Sequence, residues 1–101
     1  MLAFFSIAPT GADDHLGAYV AEMLDLIDQS GLDYRFGSMG TTVEGDWEEV
    51  IALIGRCHAL MAEKAPRVAT SIKIDDQVGR SGRLTGKVDS VEKTLGRKLR
   101  K

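Results

Sequence analysis

Cysteine is almost absent from this chain: Cys57 is the single one among 101 residues. That excludes an intramolecular disulfide and a metal site built from several thiolates. Cys57 falls in an apolar run, Val50-Ile51-Ala52-Leu53-Ile54 extended to Met61, so a buried, inert thiol is expected. A basic surplus is missing too. Thirteen Lys and Arg stand against fifteen Asp and Glu, a net charge of −2, which argues against a nucleic-acid binder. The one local exception, Arg97, Lys98, Arg100 and Lys101, reads as the solvated end of a helix, where cations are favoured. The apolar N-terminus Met1–Pro9 has no basic leader and is too short to span a bilayer. A first strand explains it, and a soluble cytoplasmic protein without membrane contact is the expectation. Gln77–Arg83 holds two Gly and two Arg but lacks the spacing of a phosphate-binding loop; a solvated, mobile loop is expected. No linker, low-complexity segment or shift of composition divides residues 1–101, which read as one domain.

The periodicity yields a definite order of elements. Residues 2–8 are apolar at the odd positions and mostly apolar at the even ones, Leu2, Phe4, Ser6 and Ala8, so this strand needs cover on both faces. Pro9 and Gly11 end it. Asp13 or Asp14 is placed to cap a helix whose apolar face is Leu16, Tyr19, Val20, Met23, Leu24 and Ile27, with Gly31 beyond its end. His15, in the first turn, reads as a solvated residue. A second helix, about 46–64, carries the stripe Val50, Leu53, Ile54, Cys57 and Met61. His58 borders that stripe and is expected to be structural, with a hydrogen-bond partner. Trp47, at the start, is expected to pack. Pro66 closes this helix, and Val68–Asp75 alternates as a half-buried strand, with Val68, Thr70, Ile72 and Ile74 on one face. A last helix, about 85–98, has Leu84, Val88, Val91, Leu95 and Leu99 at helical spacing and is expected to bury them.

The stretch Tyr34–Trp47 organises the rest. Tyr34–Ser38 is a short aromatic strand. Gly37 and Gly40 bracket a turn where positive φ would suit glycine. Thr41–Glu44 is β-branched and alternating, Gly45 breaks it, and Asp46 with Glu49 forms a capping-box signal for the second helix. The resulting order βαββαβ plus a helix is the ferredoxin-like pattern. The fold class is therefore α+β: an antiparallel sheet with two helices on one face and an additional C-terminal helix. The other face collects Leu2, Phe4, Ser6, Thr42, Glu44, Ser71, Lys73 and Asp75. Being partly apolar, that face is expected to meet another subunit, with the C-terminal helix helping to bury it. A groove there, floored by Phe4 and edged by hydroxyls and carboxylates, suits a small heteroaromatic ligand. Cross-strand or intersubunit pairs would explain the same carboxylates and Lys73.

The segment RFGSMGTTVEGDWEEV resembles the core motif of the YkoF-like thiamine-binding protein family. FSIAPTG near the N-terminus, the helix carrying His58, and SIKIDD followed by LTGKVDSVEKTLG agree with it, so the resemblance spans nearly the whole chain. The chain departs from the family at Pro9-Thr10-Gly11-Ala12, where members commonly read Pro-Ile-Gly-Thr. The resemblance implies a non-catalytic protein that binds thiamine or its hydroxymethylpyrimidine moiety. It also implies a homo-oligomer assembled through its sheets, a dimer of dimers and thus a tetramer. The binding residues it implies are Ser6, Met39, Gly40, Thr41, Thr42, Glu44 and Asp75. No catalytic residue, cofactor or metal ligand is expected: no nucleophile–base–orienter set is visible. Two other functions remain open, an oligomeric regulatory or scaffold domain and a cofactor-free enzyme using His58 or Glu44 as base.

Overall fold

A computed structural model describes residues 1–11 and 13–100; Ala12, in the departing Pro9–Ala12 segment, and Lys101, in the basic tail, lie outside the described residues. The elements are β1 (Leu2–Thr10), α1 (Leu16–Gln29), β2 (Asp33–Phe36), β3 (Thr41–Glu44), α2 (Trp47–Ala62), β4 (Arg67–Asp75) and α3 (Arg83–Leu95). The four strands form one antiparallel sheet in the order β2-β3-β1-β4. This is the α+β, ferredoxin-like architecture.

Strand register settles the faces. Phe5 lies opposite Thr41 on β3 and Ile72 on β4, while Phe4 lies opposite Thr42 and Lys73. Odd residues of β1 therefore face α1 and α2, and even residues face away. Ala3, Phe5 and Val43 meet Met23 and Ile27 of α1 in the buried core, together with Val50, Leu53, Ile54, Cys57 and Met61 of α2. Every residue of the α2 stripe is buried, and burial pushes the Cys57 thiol up to about 11. Asp46 and Glu49 form the capping box: the Asp46 N–H donates to the Glu49 carboxylate at 3.4 Å. His58 Nδ1 is 2.6 Å from Thr70 Oγ1, tying α2 to β4.

Several expectations change. Trp47 is 55% exposed; it occupies the first turn of α2, beyond the end of the buried stripe, so it stands outside the core. The N-cap of α1 is His15, without a side-chain cap. Asp13 acts one step earlier, accepting from the His15 N–H at 2.9 Å and from the Tyr19 hydroxyl. Neither Gly37 nor Gly40 has positive φ. Gly40 is required for close approach: a Cβ there would lie 2.5 Å from Phe4 Cζ and 2.7 Å from the Phe5 carbonyl oxygen.

The last helix departs most from its sequence pattern. α3 lies against β2 and β3 on the face that α1 and α2 leave open. Leu84, Val88 and Leu99 are half-buried, but Val91 is 42% and Leu95 51% exposed. Polar anchors hold it instead. The Glu44 carboxylate accepts the Arg83 N–H at 2.9 Å and the Leu84 N–H at 3.3 Å, satisfying the open N-terminus of the helix. Arg83 is not a solvated loop residue, since it pairs with Asp75. The Arg83 guanidinium beside Asp75 holds that carboxyl below its usual range. At the other end, the Leu99 N–H donates to Glu92, whose side chain is buried.

Candidate functional site

The Phe36–Thr41 turn divides two clefts, one on each side of the sheet. The Gly37 N–H donates to the Gly40 carbonyl at 2.9 Å, which pinches the turn shut. Beneath it, on the helix side, lies a cleft of about 170 Å³ lined by Phe5, Ser6, Ile7, Val20, Met23 and the Phe36–Thr41 turn. On the open side, a shallower cleft of about 320 Å³ is lined by Phe4, Arg35, Thr42 and the Phe36–Gly40 part of the same turn. Gly40 makes both possible, because any side chain there would strike Phe4 or the β1 backbone.

Unequal strand lengths create the first cleft. β1 has nine residues and β3 four. Their ladder ends at Phe5 opposite Thr41, while β1 runs on to Thr10 paired only with β4. The β3-facing edge of Ser6–Thr10 is thus left outside the ladder. Backbone N–H and C=O groups are strong donors and acceptors, so a strand edge that lines a cleft is a ready-made set of hydrogen-bonding groups. The walls of the cleft are apolar: Val20 and Met23 come from the inward face of α1, and Phe36 from β2.

The seven residues singled out in the sequence are divided among these surfaces. Ser6, Met39, Gly40 and Thr41 all line the helix-side cleft, with Thr41 buried and Met39 largely exposed; Ser6 lies on the β1 edge there, while its parity in the strand puts its side chain on the open face. Thr42 lies across the sheet on the open-side cleft, which Met39 and Gly40 also border. Glu44 holds the start of α3, and Asp75 pairs with Arg83. Val20, Met23 and Phe36 were missed as lining residues. Val20 and Met23 were legible as part of an apolar helix face, but nothing in one sequence says that the hairpin turn stops short of that face.

A family model described as thiamine-binding protein matches residues 3–92. The chain belongs to the thiamine-binding protein family. Among its relatives, the UPF0045 protein MT1949 of Mycobacterium tuberculosis is 38% identical over 96 residues, covering 94% of each chain. Protein MJ1052 of Methanocaldococcus jannaschii has a solved structure that superposes with a TM-score of 0.78 at 26% identity, covering 89% of this chain and 93% of that one. A Thermotoga maritima protein put forward for thiamine biosynthesis or salvage shares the fold, with a TM-score of 0.75 at 23% identity, covering 89% and 96%. These likenesses run along the whole βαββαβ unit rather than through the hairpin alone.

Among the described residues, no group of three or more His, Cys, Asp or Glu is placed to hold a metal ion. No helix among them is long and apolar enough to cross a membrane.

Proposed function

We propose that the chain binds thiamine or its hydroxymethylpyrimidine moiety without transforming it, and that the aminopyrimidine ring enters the helix-side cleft beneath the hairpin turn. One observation carries this reading: the β3 ladder stops at Phe5, so β1 presents an unladdered edge into an apolar cleft. An aminopyrimidine has an amino donor beside a ring-nitrogen acceptor, which matches the alternating C=O and N–H of such an edge. Val20, Met23 and Phe36 supply the apolar walls that a flat ring needs. At about 170 Å³ the cleft is smaller than the roughly 300–1,000 Å³ of pockets for drug-sized ligands. It therefore suits one ring, with the thiazolium lying outside against Met39.

Membership in a thiamine-binding family and the fold shared with the Thermotoga maritima protein support the choice of ligand. Assembly belongs to the same reading. The open face beyond α3 carries Phe4, Ser6, Ala8, Ala69 and Ser71, a flat and partly apolar surface suited to a second copy, with a dimer of dimers as the complete unit.

Calorimetry tests the site. Wild type should bind thiamine and hydroxymethylpyrimidine alike, because the ring is the part that enters. Val20→Trp fills the cleft from a half-exposed helix position and should abolish binding of both while leaving the circular dichroism unchanged. Thr41→Val removes one hydroxyl and should weaken binding by roughly two- to tenfold, the worth of one neutral hydrogen bond. Wild type that ignores both compounds would remove the ligand assignment. Unchanged binding in Val20→Trp with weakened binding in Glu44→Gln would move the site to the open face of the sheet.

A further inference from the structure

The segment joining β4 to α3 lacks the spacing of a phosphate-binding loop, yet it borders a cavity with an anion-binding character. The cavity, about 710 Å³, lies between one face of α3 and the Leu2 and Asp75 ends of β1 and β4. Small-molecule pockets span roughly 300–1,000 Å³. The hairpin clefts lie past the opposite end of β3, where Thr41 rather than Glu44 pairs with β1. Three cations, Arg80, Arg83 and Lys87, line the cavity against one carboxylate, Asp75, in a chain whose net charge is −2. Arg83 is committed to Asp75. Arg80 and Lys87 have no ion-pair partner among the described residues. Two positive charges are thus left over on one wall, and Ser81 and Ser90 add hydroxyl donors. The helix end itself is not the attraction, because Glu44 already takes the first N–H groups of α3.

Two local features shape this cavity. The Gln77 carbonyl accepts the Arg80 N–H at 3.1 Å, and Gly79 and Gly82, at φ 77° and 66°, turn the chain on either side of Arg80-Ser81. The backbone therefore fixes where these two side chains begin. The second feature is Gly86, inside α3, where glycine is unfavourable. Its φ is not positive, and a Cβ there would meet nothing within 4 Å. Neither backbone conformation nor close packing calls for glycine at this position. Gly86 does line the cavity, one turn beyond Arg83 and next to Lys87, so its missing side chain keeps the space open. We infer that this cavity binds a phosphate dianion, free or as the monoester of a small molecule. Arg80 and Lys87 are its charge partners, and Ser81 and Ser90 donate hydrogen bonds to it. A phosphate monoester carries up to about two charges and three acceptor oxygens, which suits two uncommitted cations better than a single carboxylate does. The volume leaves room for the group that carries the phosphate. The inference is independent of what the hairpin cleft binds.

Calorimetry with inorganic phosphate and with ribose 5-phosphate decides it. Wild type should bind, and tighter binding of the ester assigns the site to an organic phosphate, tighter binding of inorganic phosphate to the free anion. The double variant Arg80→Gln, Lys87→Gln, changed at two exposed positions, should lose roughly tenfold or more in affinity. Gly86→Leu keeps every charge, installs a better helix former and fills the cavity. It should weaken binding at least as much while circular dichroism keeps the helix signal. Val20→Trp, which fills the hairpin cleft, should bind phosphate like wild type. Wild type that binds neither compound at millimolar concentration would overturn the inference. So would a Gly86→Leu protein that binds like wild type, since attraction to an open basic surface needs charge but no cavity. A double variant with unchanged affinity would overturn the assignment of Arg80 and Lys87.

Discussion

α2 and α3 look alike as sequences and are held in different ways. Each has an apolar stripe at helical spacing, yet every residue of the α2 stripe is buried, while Val91 and Leu95 of α3 stand half in solvent. α2 is fixed by burial against Phe5, Val43 and Ile27. α3 is fixed by the Glu44 carboxylate at its N-terminus and by Arg83 on Asp75. Apolar burial is summed over many contacts and fades slowly when one is lost. A few polar anchors fail one by one. Amphipathicity therefore tells that a helix has a side to bury, and not how firmly it is held.

The comparison can be broken or sharpened in four ways, of decreasing size. Leu53→Ala, in the fully buried stripe of α2, should cost about 2–5 kcal/mol of global stability in chemical denaturation; a cost below about 1 kcal/mol would place α2 in the same class as α3. Glu44→Ala removes the acceptor for the first N–H groups of α3. A loss of about 1 kcal/mol, typical of a helix cap, should speed amide exchange in α3 roughly fivefold while α2 amides keep their protection. Equal acceleration in both helices would show that they open as one unit.

Acid is the third test. The Asp75 carboxyl is held below its usual value by Arg83. A depressed folded value means that its contribution is present above the ordinary carboxylate range and is lost as pH falls through the folded value. Exchange in α3 should therefore rise as the pH falls below the ordinary carboxylate range and through the depressed value of Asp75, before α2 responds. Asp75→Asn should remove this pH dependence. The smallest effect belongs to Val91→Ala on the exposed side of α3, expected within about 0.5 kcal/mol. A larger loss that depends on protein concentration would show that another subunit covers Val91 and Leu95.

The site repeats the same lesson. Gly40 was legible as a special position, but as a turn glycine; its demand is room for Phe4 and the β1 backbone, a contact between segments 35 residues apart in numbering. Glu44 and Asp75 were legible as acidic groups on the open face, and register places them there. Their occupation by α3 was not legible, because a carboxylate carries no mark in sequence of which N–H or guanidinium it will meet. Val20 and Met23 were read as core, and they also wall a cleft, because β3 ends before it covers them.

By itself the sequence determined the order of elements, the two sheet faces and the buried stripe of α2, since these follow from periods of two and 3.6 residues and from local turn and cap chemistry. The motif around the hairpin also carried the family. The tertiary structure alone decided that β1 outruns β3 and opens its edge, that α3 is pinned by Glu44 and Asp75, and that β4 is left as a long free edge. Each of these depends on where one element stops against another. That is set by strand lengths and pairing register across the sheet, which local sequence does not encode.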